Sequence, residues 1–295
     1  MDMVTHQGSV EMSEGRIHYR IQGESGSPVV LLHGAGIDNG AWIWRWLAPE
    51  LAATHRVYVP DHPKHGQSWP WRARADQRGQ EEVLARLLDH WELERATLVG
   101  LSLGSTTAIG YTLRHPDRVR SLVLTSCGGI QDRVPRHGLS YLALRTPLSW
   151  SVSRAMSPEA LRRWVRREVR FADYVPEEDI DALADLAGEE LERKRSHGGH
   201  MFSDWNRYEI GPRRMRVDFR GRLSEITCPV LLVHGELDEA VPLRYPREAA
   251  DIAPQGRLEV IEGAGHFVPV ERPREYSHVV RAFLDRDTGS AAAER

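Results

Sequence analysis

The chain has 295 residues, 41% hydrophobic and 27% charged, with a formal net charge of −3 at pH 7. That is the composition of an ordinary soluble globular enzyme, long enough for one large α/β domain with a substantial insertion. The small net charge gives no electrostatic reason to expect nucleic acid or an anionic membrane as partner. No run reaches the ~18 apolar residues of a membrane helix, and the first residues lack the basic start and apolar stretch of a signal peptide. The expectation is a cytoplasmic protein acting on a small-molecule substrate, with no nucleic acid or membrane partner and with a homo-oligomer left open. Lys64 and Lys194 are the only lysines, which reads as a composition bias toward arginine.

In chain order, Ser9–Met12 and Ile17–Ile21 read as a β-hairpin turning at Glu14-Gly15. Pro28–Leu32 is a continuous apolar run, as central parallel strands are, and it ends in His33-Gly34-Ala35-Gly36. The spacing of Trp42, Trp46, Leu47 and Leu51 predicts a helix from Trp42 to Ala53, with Trp44 on its other face. Arg56–Pro60 is a strand closed by Asp61, and Gln80–Glu92 is a helix. A strand through Ala96, Leu98 and Val99 is followed by a helix from Ser105 to Arg114, then by a strand at Val119–Thr125. Pro229–Val233 and Leu258–Ile261 are further strands, and Arg274–Leu284 is a closing helix. Strand–helix alternation of this kind predicts a parallel sheet covered on both faces.

Between the strand Val119–Thr125 and the strand Pro229–Val233 the texture changes. Ser157–Phe171 and Pro176–Arg195 read as amphipathic helices with no strand between them, which predicts a helical cap over residues 130–223. The core is then 1–129 and 224–286, with 287–295 expected to be a disordered tail. Cys127 should follow one strand and Cys228 precede the next, so they lie at opposite ends, ~17 Å apart, too far for a disulfide.

Gly100-Leu101-Ser102-Leu103-Gly104 sets a serine between two glycines where a strand meets a helix. Such a junction holds the serine on a sharp turn with its hydroxyl clear of the sheet. The glycines are expected where strand and helix approach too closely for side chains. A serine hydroxyl is a weak nucleophile and needs a base, an orienting carboxylate and donors for an oxyanion. Asp238 and His266 follow the ends of the two later strands, where open α/β sheets place functional groups.

Taken with HGAG at 33–36, DHPKHGQS at 61–68, HGELDEAVP at 234–242 and GAGHFVPVERP at 263–273, the chain resembles the α/β-hydrolase superfamily in its helical-cap branch. The resemblance implies an α/β fold with a mostly parallel eight-stranded sheet, helices on both faces and an inserted cap. By matching position it implies Ser102 as nucleophile, His266 as general base and acid, and Asp238 as the orienting carboxylate, with Glu236, Glu239 and Asp132 as rivals for that last role. It implies an oxyanion hole from the backbone N–H groups of Ala35 and Leu103, and no cofactor or metal. Lys64 departs from the family's usual glycine, and Ser105 from its usual small residue after the second elbow glycine.

Serine rather than aspartate at the elbow argues against dehalogenase and epoxide hydrolase chemistry. It supports hydrolysis of a small carboxylic ester or lactone through an acyl-enzyme on Ser102. The alternatives are a carbon–carbon bond hydrolase of the meta-cleavage-product type using the same triad, or a non-catalytic ligand-binding member of the fold. The chain lacks both the HGSGPG common in the carbon–carbon hydrolases and the GGSWG common in prolyl aminopeptidases. Trp42 and Trp46 read as helix packing, His197, His200 and Asp204 as an unconvincing metal set, and Arg213–Arg222 as a solvated basic face.

Overall fold

A computed structural model describes residues 5–172 and 175–293 of the chain. The N-terminal hairpin is β1 (Thr5–Met12) and β2 (Gly15–Gln22), followed by β3 (Pro28–Leu32), the short helices α1 (Gly40–Ile43) and α2 (Leu47–Leu51), and β4 (Arg56–Pro60). Next come α3 (Gln77–His90), β5 (Ala96–Leu101), α4 (Leu103–Arg114) and β6 (Val119–Thr125). The insertion holds α5 (His137–Arg145), α6 (Leu148–Ala155), α7 (Pro158–Glu168), α8 (Glu177–Ser196) and α9 (Asp204–Glu209). The core resumes with β7 (Val230–Gly235), α10 (Arg244–Ile252), β8 (Gly256–Ile261), α11 (Val268–Glu271) and α12 (Pro273–Ala293).

The eight strands form one sheet in the order β1-β2-β4-β3-β5-β6-β7-β8. β2 pairs antiparallel with β1 and β4, and every other neighbour is parallel. Side chains alternate between two buried layers. Val29, Leu31, Val99, Leu101 and Val123 face α1, α2 and α12, whereas Val30, Leu32, Leu98, Leu122 and Leu124 face α3, α4 and α10. Both faces are covered, so these strands are apolar throughout instead of alternating. The strand order reverses between β3 and β5, and open α/β sheets bind ligands at such a switch point.

Two expectations need correction. The helix expected from Trp42 to Ala53 is broken into α1 and α2. Pro49 explains the break: in a continuous helix its ring would meet the carbonyl of Arg45 and its missing N–H would leave that carbonyl unbonded. The closing helix, expected to end at Leu284, runs on to Ala293 as α12, and of the tail expected at 287–295 the residues Glu294 and Arg295 lie outside the described residues. Ala291, Ala292 and Ala293 are the strongest helix formers and extend the turn pattern past Leu284. Within the cap, α7 and α8 match the two expected helices, and α5, α6 and α9 are additional. No helix among the described residues is long and apolar enough to cross a membrane.

Candidate active site

Ser102 follows directly on β5, with its backbone at φ 51 and ψ −107, a region side-chain-bearing residues seldom occupy. Strand β6, the loop after it and helix α4 hold it there. The Ser102 N–H donates to Thr125 O at 2.9 Å, and its carbonyl accepts from Thr106 N at 3.0 Å and Gly128 N at 3.3 Å. The flanking glycines are sterically required. A Cβ on Gly100 would lie 2.3 Å from Ser105 N, and one on Gly104 would lie 2.0 Å from Leu32 O. Helix α4 therefore starts hard against the ends of β5 and β3. Ser105 strengthens the junction, donating its hydroxyl to Gly100 O at 2.8 Å.

Asp238 and His266 meet in one hydrogen bond, His266 Nδ1 donating to Asp238 Oδ2 at 2.9 Å. The other carboxylate oxygen accepts the N–H groups of Ala240 at 2.8 Å and Val241 at 3.0 Å. His234, 3.7 Å from Asp238 Oδ2, is itself anchored by donating Nε2 to Val241 O at 2.8 Å. Burial pushes the Asp238 carboxyl up, but His266, His234 and these donors bring it down to about 2. For His266 burial works against the charge, yet Asp238 beside it leaves the imidazole above its ordinary value. The rival acids are engaged elsewhere. Asp132 accepts from Tyr245 Oη at 2.7 Å, Glu236 accepts from Gly263 N at 3.1 Å, and Glu239 pairs with Arg170 at 2.8 Å.

The loop after β3 is buried except at Ala35 and Gly36, which are partly exposed. His33 fixes this loop: Nδ1 donates to Gly34 O at 2.8 Å and Nε2 accepts from His62 N at 2.9 Å. Burial holds His33 and His65 well below the usual imidazole range and brings His62 down to about 4, so the three pack as neutral rings. Leu103 and Ala35 belong to the same apolar cluster. Leu103 heads α4, where the first N–H groups have no partner within the helix and the dipole favours negative charge.

Four buried ionisable groups near this site escape a sequence reading. Asp38 is 3% exposed and neither carboxylate oxygen has a hydrogen-bond partner; burial raises it to about 7. Glu271 accepts from Gly265 N at 2.5 Å, directly before His266, and burial likewise raises it to about 7. Glu190 and Lys194, both on α8, lie 3.6 Å apart. Glu190 accepts from Asn39 Nδ2 at 3.1 Å and Gly66 N at 2.7 Å, and Lys194 donates to Lys64 O at 3.0 Å. Lys64 takes the left-handed backbone that its glycine-like position demands (φ 65) and its ammonium donates to Asp204 of the cap at 2.6 Å. Both lysines of the protein thus sit where cap meets core.

The remaining candidates have structural roles. Trp42 donates Nε1 to Leu183 O of the cap at 2.9 Å and packs edge-on to Phe267, beside His266. Trp44 stacks on Tyr276. His197 stacks on Trp69 and His200 packs against Trp150, and no cluster of metal-ligating groups occurs among the described residues. Arg220 and Arg222 pair with Asp218 and Glu225 on the surface, while Arg213, Arg214 and Arg216 are exposed.

Comparison with known proteins identifies the fold family. Two curated relatives are named 2-hydroxy-6-oxononadienedioate/2-hydroxy-6-oxononatrienedioate hydrolase. The one from Pseudomonas putida is 30% identical over 276 residues, covering 91% of this chain and 91% of the relative. The one from Cupriavidus pinatubonensis is 27% identical over 281 residues, covering 92% and 91%. Among solved structures, a 2-hydroxy-6-oxo-6-phenylhexa-2,4-dienoate hydrolase from Rhodococcus superposes with a TM-score of 0.75 at 20% identity, over 96% of this chain and 99% of that one. The family model for the alpha/beta hydrolase fold matches residues 27–273. With that match covering most of the chain and the sheet, elbow and cap in place, the protein belongs to the α/β hydrolase fold family and is a hydrolase.

Proposed function

We propose that the protein hydrolyses a carbon–carbon bond in a 2-hydroxy-6-oxo-dienoate, with Ser102, His266 and Asp238 as its triad. The observation that carries this reading is the pair of relatives named for such substrates, aligned over nine-tenths of both chains at 30% and 27% identity. In this reading Ser102 attacks the 6-oxo carbon and His266 takes its proton. The N–H groups of Ala35 and Leu103 receive the oxyanion. With the dienol ketonised, its 2-hydroxyl proton moved to C5, the C5–C6 bond then breaks and its electron pair passes through the C3–C4 double bond to the 2-oxo oxygen, which takes the proton back from His266. Water hydrolyses the acyl-serine, releasing a carboxylic acid and a 2-hydroxydienoate.

Hydrolysis of a small ester or lactone is the second reading. It is favoured by the oxyanion loop, His33-Gly34-Ala35-Gly36-Ile37, which lacks the HGSGPG form. One panel separates the two. The purified protein is given 2-hydroxy-6-oxo-6-phenylhexa-2,4-dienoate, p-nitrophenyl butyrate and a series of lactones. A kcat/KM at least a hundredfold higher for the dienoate, with benzoate as product, supports the first; the reverse ranking establishes the second. No turnover of any, and no fluorophosphonate label on Ser102, would sink both.

Two further outcomes are expected. The profile of kcat/KM should rise with pH through the His266 titration, because only the neutral imidazole accepts the serine proton. Since Asp238 raises His266, the midpoint should lie above the ~6.5 of an unperturbed histidine. A midpoint at or below that value counts against the pair. Asp238→Asn should lose about 10³–10⁴-fold in kcat on the pattern of other triads, and a loss under tenfold would move the orienting role to Asp132 or Glu236.

A further inference from the structure

Outside the triad, one pocket has a composition that neither the reaction nor the packing uses. The loop that follows β4 and the stretch from the end of α8 to α9 enclose a cavity of about 320 Å³, lined by none of Ser102, Asp238 or His266. That volume is at the lower end of the ~300–1,000 Å³ typical of small-molecule sites. Its apolar walls are flat rings: Trp69, Trp71, Trp150 and Tyr208. Its charged lining is lopsided. Lys64 and Asp204 neutralise each other, and the Asp204 oxygen that takes Lys64 also accepts Ala75 N. Arg72, Arg74 and Arg207 line the same pocket, and none of the three is in an ion pair among the described residues.

Trp69 and Trp71 are 6% and 7% exposed and their indole N–H groups are buried out of reach of a water-sized molecule, so what they offer the cavity is ring carbon. Arg74 lies 4.9 Å over the ring of Tyr208, a stacking that leaves the in-plane edge of a guanidinium available for a carboxylate. Donors therefore outnumber acceptors, and the walls suit a ring.

We propose that this pocket is a second ligand site, separate from the triad, for a small planar organic carboxylate. The carboxylate would take the guanidinium edges of Arg74 and Arg207, as forked arginines bind carboxylates, while the ring lies among the tryptophans. The inference does not depend on which bond the triad cleaves.

The test is calorimetric titration of the full chain with benzoate, followed in parallel by tryptophan fluorescence. One benzoate per chain should bind. The double variant Arg74→Ala/Arg207→Ala should weaken it at least tenfold, as should the milder Arg74→Gln/Arg207→Gln, which guards against misfolding of the first. Arg213→Ala/Arg214→Ala removes the same charge from the other arginine-rich surface and should leave affinity unchanged. Saturating benzoate should not slow fluorophosphonate labelling of Ser102. Equal affinity in all variants, loss in the control variant, or equally tight binding of inorganic phosphate would overturn the proposal. Protection of Ser102 with the same dissociation constant that the titration gives, unchanged in the arginine variants, would also overturn it, since the titrated ligand would then lie in the catalytic pocket. Because binding is read without turnover, an inactive protein leaves the titration interpretable.

Discussion

Ser102→Ala abolishes turnover and leaves the fold in place. The side chain gives no hydrogen bond to the scaffold among the described residues; the bonds that hold the elbow come from the Ser102 backbone, Thr106 and Gly128, and from Ser105. Alanine keeps all of them and takes no more room than serine at φ 51. The unfolding free energy should therefore change by no more than about 0.5 kcal/mol, the range of substitutions that touch no structural feature. Catalysis has no such reserve. His266 and Asp238 can only move a proton that a nucleophile offers, so removal of the oxygen costs nearly the whole triad, on the order of 10⁶-fold in kcat. Steady-state turnover and a urea titration on the same preparation check both halves. Turnover above about a thousandth of wild type, well over what an intact oxyanion hole supplies alone, would point to another nucleophile.

How much of this was legible beforehand depends on how local each signal is. The central strands β3, β5 and β7 could be read because each is a short apolar run, and burial on both faces makes the run continuous. The elbow could be read because the contacts that require Gly100 and Gly104 are made within five residues or to the end of β3. Asp238 and His266 were placed by their position after two strands, and the structure joins them at 2.9 Å. The choice among the acids was not a local matter. Burial favours Asp238, since Glu236 and Glu239 are exposed and Asp238 is buried.

The cap was harder because helical period reports a buried stripe without saying what lies against it. On α8 the stripe of Ile180, Leu183, Ala184, Ala187 and Leu191 also contains Glu190 and Lys194. Two charges in phase with an apolar stripe are a readable signal of buried polar groups, since Lys and Glu are almost never fully buried unless paired. Their partners, Asn39, Gly66 and Lys64, lie more than a hundred residues away, and no sequence window spans that. The same holds for Lys64. Its odd place at a glycine position is intelligible only once Asp204 is seen above it. Choosing between an ester and a carbon–carbon bond fails for a related reason: the elbow is common to both chemistries, and the pocket that distinguishes them is built by this distant packing.

Lys194→Met should cause one of the largest losses of stability available outside the sheet, about 3 kcal/mol, at the lower end of what breaking a buried ion pair costs. The lysine side chain is 2% exposed and that of Glu190 is fully buried. Methionine fills the same volume, so the effect isolates charge from packing. Two contacts go at once: the ion pair, and the hydrogen bond to Lys64 O that helps hold Lys64 in its left-handed backbone. Glu190 keeps Asn39 and Gly66 as donors, and burial already favours its neutral form, which is why the loss should stop short of the full penalty. Adding Glu190→Gln removes the stranded charge and should restore 1 kcal/mol or more, roughly the coupling expected between contacting groups. Urea midpoints of the two singles and the double give that coupling, and hydrogen exchange along α8 and residues 61–68 should show the cap loosening from the core before the sheet opens. A Lys194→Met protein within about 0.5 kcal/mol of wild type would mean that the pair contributes nothing to the cap–core seam, and that the two lysines stand there only by composition.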